Sequence, residues 1–372
     1  MEQKIHVLHV VGRLNVGGAE SRIMDLYRAI DRDRIQFDFV QHMQQKGAYQ
    51  EEVERLGGHV YVMPRFRIFN YFSYKKSWKK FLEQHPEIQI VHGHMTSTAG
   101  IYLPIAKKTI GAFTIAHARS AGVDKGLKGI ATKILRKNLS SRCDQCFTCS
   151  KLAGEAVFGK DAVKKGIVKS FPNAIDVEKF AYKEQTRAKM RKQFHIEEND
   201  FVIGHVGRFD PVKNHLYLLE MLSECLKIKH NVKLMLVGDG RLREELKQKC
   251  QEMRLESRVI FAGNQKNIFD YYQIFDYFVL PSFYEGLPGT AIEAQTSGLR
   301  GILSDRITNE AIVTDLMKQK SIDIPAKEWA KEILQTQSYE RKSMVEQVRK
   351  AGFDVKEQAR VLSEFYCKAI GQ

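Results

Sequence analysis

Twelve apolar runs of four to seven residues, each separated from the next by a stretch long enough for a helix, constrain this chain more than any other feature. They lie at 5–11, 37–41, 60–63, 88–93, 113–118, 145–149 and 166–171, then at 201–207, 232–238, 258–263, 277–282 and 300–305. Strand-like runs alternating with amphipathic helical stretches are the pattern of a parallel sheet covered by helices on both faces. At 372 residues the chain is long for one core and comfortable for two. PNAIDVEKF (172–180) ends the first series, a charged helical stretch follows at 183–198, and FVIGHVG restarts the pattern. The expected division is therefore 1–180 and 181–354. The closing segment 355–372 holds one more helix, Val355 to Ile370.

Composition narrows the class. A hydrophobic content of 43% without low-complexity tracts indicates a folded globular protein. The first apolar run is too short for a signal-peptide core, and no run approaches the ~18 residues of a spanning helix. A cytoplasmic protein is expected. Cys143, Cys146 and Cys149 make a C-x2-C-x2-C string, but QCFTCS alternates like a strand and no fourth cysteine lies nearby, so a metal role is not expected. The charge is lopsided. Residues 1–180 hold 29 Lys and Arg against 17 Asp and Glu, whereas 181–372 hold 30 against 27. A basic first half suggests an anionic partner.

The chemistry concentrates in YEGLPGTAIEAQTSG, where Glu285 and Glu293 have seven residues between them. Gly286-Leu287-Pro288-Gly289 is a breaker-rich turn, and Thr290 onward reads as the start of a helix. Glu285 is thus expected at a strand tip and Glu293 a turn inside the helix. The helix N-terminus between them is a ready phosphate site. HVGRFDPVKNH, ~80 residues upstream, sets Arg208 and Lys213 astride a proline turn, a planar fork and a mobile point charge suited to a diphosphate. The bland alternative is an ordinary solvated basic turn. Gly17-Gly18 follows the first strand and opens a helix. It suits either close approach to a phosphate or a turn needing positive φ.

Together, the E-x7-E pair, VGRFDPVKNH and NVGGAE resemble the retaining glycosyltransferases of family 4, especially bacterial exopolysaccharide and capsule enzymes sharing the phrases GGAE, VKNH, YEGLP and IEAQ. The resemblance covers most of the chain. It implies the GT-B arrangement, α/β with two Rossmann-like doubly wound domains facing across a cleft and the last helix returning to the first domain. It further implies that Arg208 and Lys213 bind the donor diphosphate, that Glu293 accepts from ribose hydroxyls, and that Glu285 touches the donor sugar. Backbone around Gly286, Leu287, Gly289 and Thr290 would contact phosphate, and main chain from Asn264 to Ile268 would read the base. A front-face retaining reaction without metal or other cofactor follows from the same likeness. Asp31-Arg32-Asp33 matches a metal-binding D-x-D string but sits in a helix-to-strand turn. The family's histidine corresponds to His117, or to the position that Arg119 occupies; His92 and His94 lie near in sequence. Gly298-Leu299-Arg300, where proline commonly follows Gly-Leu, and the small Gly289-Thr290 pair depart from the family pattern. Lys213 and Glu293 are both expected to be exposed.

Two basic segments fit an anionic membrane. DKGLKGIATKILRKNL (124–139) would set Leu127, Ile130, Ile134 and Leu135 opposite Lys125, Lys128, Lys133 and Arg136, and PRFRIFNYFSYKKSWKKFL (64–82) interleaves six basic residues with seven aromatics. The plain alternative is that their apolar faces enter the core. No RNA-recognition signature or zinc finger supports a nucleic-acid binder. The expected function is transfer of a sugar, most simply from a UDP-sugar, to a lipid-linked glycan on the inner face of the cell membrane. A catalytically silent homologue that binds a sugar nucleotide or a partner enzyme is the alternative.

Overall fold

The computed structural model describes residues 4–15, 17–119, 126–335 and 339–371. It divides into two compact units, Met1–Ala174 with Asp354–Gln372, and Ile175–Phe353. The first division falls earlier than the residue near 180 read from the sequence because the short helix Val177–Phe180 belongs to the second unit. There Phe180 meets the rings of Phe269 and Tyr272 at 6.3 and 5.6 Å between centroids.

The first unit is built on seven strands: β1 (Ile5–Val10), β2 (Ile35–Gln41), β3 (Val60–Val62), β4 (Ile88–Gly93), β5 (Phe113–Ala118), β6 (Gln145–Thr148) and β7 (Val168–Ser170). They pair in parallel in the order β3-β2-β1-β4-β5-β6-β7. Strands β1, β2 and β4 are almost wholly buried, which is why they read as unbroken apolar runs. The last helix, Val355–Ala369, starts from Asp354, whose side chain accepts from Lys356 N at 2.9 Å. Val355, Ala359, Leu362 and Tyr366, spaced four, three and four, join the cluster of Ile23, Tyr27 and Phe37 in this unit.

The second unit has six strands: β8 (Phe201–Val206), β9 (Val232–Val237), β10 (Val259–Gly263), β11 (Tyr277–Leu280), β12 (Gly301–Ser304) and β13 (Met317–Lys320), again parallel, in the order β10-β9-β8-β11-β12-β13. β13 is the strand that the sequence reading missed: MKQK has no apolar run, since it is a sheet edge with one buried residue, Met317. Both sheets reverse their strand order once, at β1/β4 and at β8/β11. In open α/β sheets ligands bind beyond the strand ends at such points. This is the GT-B construction of two doubly wound domains. Among the described residues no helix is long and apolar enough to cross a membrane.

Candidate active site

Beyond the β8/β11 reversal the two sequence motifs meet. Past Gly207, the Asp210 side chain accepts from Val212 N at 3.2 Å and caps the one-turn 3-10 helix Pro211–Lys213. Asn214, in the left-handed region at φ 54°, then redirects the chain into the helix His215–Ile228. The turn presents Lys213 to the loop after β11, where its Nζ lies 2.5 Å from Glu285 Oε1; each side chain is 18% exposed. A backbone bond from Phe283 N to Val212 O, 2.8 Å, fastens the same two loops. Gly238, at φ 137°, lets the loop after β9 close underneath: a Cβ there would stand 2.1 Å from Gly207 O. Arg208 behaves differently. Its side chain is 77% exposed, and its guanidinium stands 3.7 Å from Asp210, which Arg241 approaches at 3.8 Å. Such an exposed pair contributes little to stability and leaves Arg208 available.

The helix Gly289–Thr296 begins at Pro288, which supplies no side-chain cap. Glu293 lies one turn in. It is buried, not exposed as the sequence suggested: it is 5% accessible, and Oε2 accepts from the Tyr272 hydroxyl at 2.7 Å. A Cβ on Gly289 would lie 3.8 Å from Oε1, so the carboxylate reaches back towards the helix N-terminus, where the helix dipole favours negative charge. Leu287 and Pro288 are buried, Gly286 and Gly289 partly exposed, and the Thr290 hydroxyl is buried without a partner. Glu285, Lys213, Glu293 and the helix start are therefore gathered at one sheet edge. Asn264 lies in the loop after β10, and Ile268 opens the helix Ile268–Ile274, which carries the Tyr272 that donates to Glu293. Asn264 is exposed and, with Lys189, Gln193, Lys266 and Tyr271, lines a hollow of about 500 Å³ that none of Arg208, Lys213, Glu285 and Glu293 lines.

Two residues escaped the sequence reading. His205 and His215 are buried beside Lys213 with ring centroids 4.8 Å apart. His205 Nδ1 donates to Val279 O at 2.9 Å, leaving Nε2 without a partner, and neither nitrogen of His215 has one. Burial, then the neighbouring His215, holds His205 well below its ordinary pKa; burial and Lys213 lower His215 to about 4. Both rings are neutral at pH 7. Their only signal was a histidine inside each of two apolar stretches.

The reversal in the first sheet is filled by histidine. His9 from β1, His92 from β4, His94 just past it and His117 from β5 converge. His9 Nδ1 lies 2.9 Å from His94 Nε2, His92 Nε2 lies 3.0 Å from His117 Nδ1, and Tyr366 OH lies 2.6 Å from His92 Nδ1. Arg119 Nε donates to His94 Nδ1 at 3.4 Å, which requires His94 to donate through Nε2 to His9. With Tyr366 donating to His92, the His92 proton would lie towards His117 and the His117 proton on Nε2. Burial, with Arg119 adding to it, lowers His9 to about 3 and holds His117 well below its usual value; for His92 and His94 burial is again the largest cause. His117 is wholly buried against Phe147 and Phe171, whereas Arg119, just past the strand, is 9% exposed. Arg119 Nη1 donates to Asn173 at 2.8 Å and Nη2 has no partner. Among the described residues, no carboxylate stands within 4 Å of it. The ring nitrogens of His9, His92 and His94 lie within 4.8 Å of one another, but this guanidinium beside His94 disfavours a cation there. Gly17 and Gly18 open the helix Gly18–Ala29 after β1, and no side chain caps it.

The family description "Glycosyltransferase Family 4" matches residues 16–179, and "Glycosyl transferases group 1" matches residues 186–352. The protein EpsF of Bacillus subtilis is 30% identical over 368 residues, 97% of this chain and 96% of that protein. The chain is a family 4 glycosyltransferase. The UDP-Gal:alpha-D-GlcNAc-diphosphoundecaprenol alpha-1,3-galactosyltransferase of Escherichia coli is 31% identical over 60% of this glycosyltransferase and 59% of its own length. In fold, it is similar to Anabaena Alr3699/HepE, solved in complex with UDP, with a TM-score of 0.73 at 19% identity over 100% of this chain and 98% of that one.

Proposed function

We propose that this glycosyltransferase moves a sugar from a UDP-linked donor to a lipid-diphosphate-linked glycan during assembly of a bacterial surface polysaccharide. The observation that carries the reading is the Lys213–Glu285 pair at a sheet reversal, beside a helix start that Glu293 approaches. The Escherichia coli relative, whose name gives a UDP-sugar donor and a diphosphoundecaprenol-linked acceptor, supports the substrate classes.

In this reading the donor diphosphate draws Lys213 from Glu285, and Arg208 swings in from solvent as a second cation. These charges, with the N–H groups of the Gly289 helix start, stabilise the leaving diphosphate without a metal. Glu293, held by Tyr272, accepts from a ribose hydroxyl. Glu285, released from Lys213, accepts from the donor sugar. The reaction retains configuration on one face: the acceptor oxygen bonds to the anomeric carbon as the sugar–phosphate bond breaks, and the acceptor proton passes to the departing phosphate oxygen. Arg119, nearer the surface than His117, is the group of the first unit that meets an anion. The histidines behind it orient it.

The acceptor's lipid suggests an inner-membrane surface. Segment 64–82 divides by role. Tyr74, Trp78 and Leu82 enter the core, while Ile68, Phe69 and Phe72 are 69, 83 and 83% exposed among Arg65, Arg67, Lys75 and Lys76. In the helix Gly126–Arg136, Ile130 and Ile134 are 57 and 65% exposed. Lys125 lies outside the described residues, as do the side chains of Leu127 and Lys128. Apolar tips ringed by cations suit anionic lipid.

A thermal-shift screen with UDP, GDP, ADP and CMP, with and without EDTA, tests the donor site, and transfer from UDP-sugars into a lipid extract tests turnover. Stabilisation by UDP that survives EDTA, together with labelled lipid, is expected. UDP binding without transfer to any lipid-linked acceptor would favour the silent homologue.

A further inference from the structure

We propose that Cys143 and Cys146 form a dithiol that closes reversibly to an intramolecular disulfide, with a low-molecular-weight disulfide as oxidant. The sulfurs lie 3.4 Å apart, so a modest side-chain rotation brings them to the ~2.05 Å of a bond. Cys143 is half-buried in the bend before β6 and open to a small reagent. Cys146, three residues later and the second residue of β6, is 2% exposed. The loop that holds them is fixed by the residue between. The Asp144 carboxylate binds Lys107 at 2.5 Å and both Thr114 N and Thr114 Oγ1, at 2.9 and 2.7 Å, which holds the two cysteines in this register. The hydrogen bond from Cys146, assisted by the backbone of Ala116, lowers the Cys143 pKa, while the same contact and burial raise that of Cys146. Cys143 is thus the attacking thiolate and Cys146 the resolving thiol.

The exchange balances. The Cys143 thiolate attacks one sulfur of the oxidant and releases a small thiolate, leaving a mixed disulfide. Cys146 gives its proton to that thiolate and attacks the Cys143 sulfur, expelling the second small thiolate, which takes up the proton Cys143 lost on ionising. Two protein S–H groups become one S–S bond, and the oxidant's S–S bond becomes two S–H groups. Oxidation also removes the S–H that Cys143 directs to Leu139 O at 3.4 Å, in the turn following the basic helix Gly126–Arg136.

The test equilibrates the full chain with glutathione disulfide and counts free thiols after denaturation. The six should fall to four, with the intact mass lower by two hydrogens and both changes reversed by dithiothreitol. Fragmentation of the peptide 143–151 should assign the bond to Cys143 and Cys146. Cys146→Ser should stop at glutathione on Cys143, and Cys149→Ser should close as the wild type does. Six thiols remaining, a bond to Cys149, or glutathione persisting on Cys143 of the wild type would overturn the proposal. The wild-type measurement decides without relying on any variant's folding.

Discussion

The two sheet reversals share a topology and differ in chemistry. Past β8 and β11 stand a partly exposed Lys–Glu pair and an uncapped helix, charges that can change partners when a ligand arrives. Past β1, β4 and β5 stand four largely dry, neutral imidazoles with Arg119 at their rim. The same fold thus supports a site of mobile charge and one of fixed dipoles. The difference lies in which side chains the strand ends carry, not in how the strands are ordered.

Acid should separate the two units most sharply. A histidine whose folded pKa lies below its unfolded ~6.5 binds its proton more readily when unfolded, so stability is lost as pH falls from about 6.5 towards the folded value, at about 1.4 kcal/mol per pH unit per ring. His9, His92, His94 and His117 act this way in the first unit, His205 and His215 in the second. His42, also lowered by burial, adds to the first, while His6, raised by its bond to Asp38, opposes it. The first unit should therefore lose stability about twice as steeply below pH 6, read by hydrogen exchange in each unit; equal slopes would erase the contrast.

Next in size, Lys213→Ala should lower kcat/KM by roughly 100- to 1,000-fold, on the order of 3–4 kcal/mol of transition-state stabilisation. Its melting temperature should barely move, because the pair it breaks is partly solvated. Loss of the fold instead would make Lys213 a scaffold residue. Glu293→Ala differs from it: activity falls, and the buried Tyr272 hydroxyl loses its carboxylate acceptor at a cost of about 1–3 kcal/mol in denaturant unfolding. Glu293→Gln, which keeps an acceptor, should recover most of that stability and little of the activity.

The smallest effect belongs to Tyr366→Phe. Removing the hydroxyl that meets His92 Nδ1 should cost about 1 kcal/mol and free the tautomers of His92 and His117, visible in the ring nitrogen shifts by NMR. Unchanged spectra would mean that the relay order does not begin at Tyr366.

Much of this was legible in the residues. Parallel strands covered on both faces read as apolar runs, and twelve of the thirteen described strands overlap such runs. The edge strand β13 did not, because MKQK has one apolar residue and three polar ones, with no apolar run around it. YEGLPG and DPVKNH marked strand tips, since proline, glycine and a capping aspartate act within a few residues of themselves. Burial was not legible. Glu293 is polar, and it is interior because its helix is enclosed on every side, Ala291 to Thr296 all being buried, with Tyr272 approaching from a separate element.

The sequence by itself therefore determined the alternating α/β plan, the two-part chain, the last helix and the residue types at the second reversal, because strand periodicity, turn chemistry and capping are local. Tertiary structure alone decided that Lys213 meets Glu285 across 72 positions of chain, that Glu293 is buried, and that Tyr366 reaches His92 from 274 residues away. Those contacts depend on strand order and helix packing, which bring distant residues within hydrogen-bonding range and leave no short-range trace in the chain.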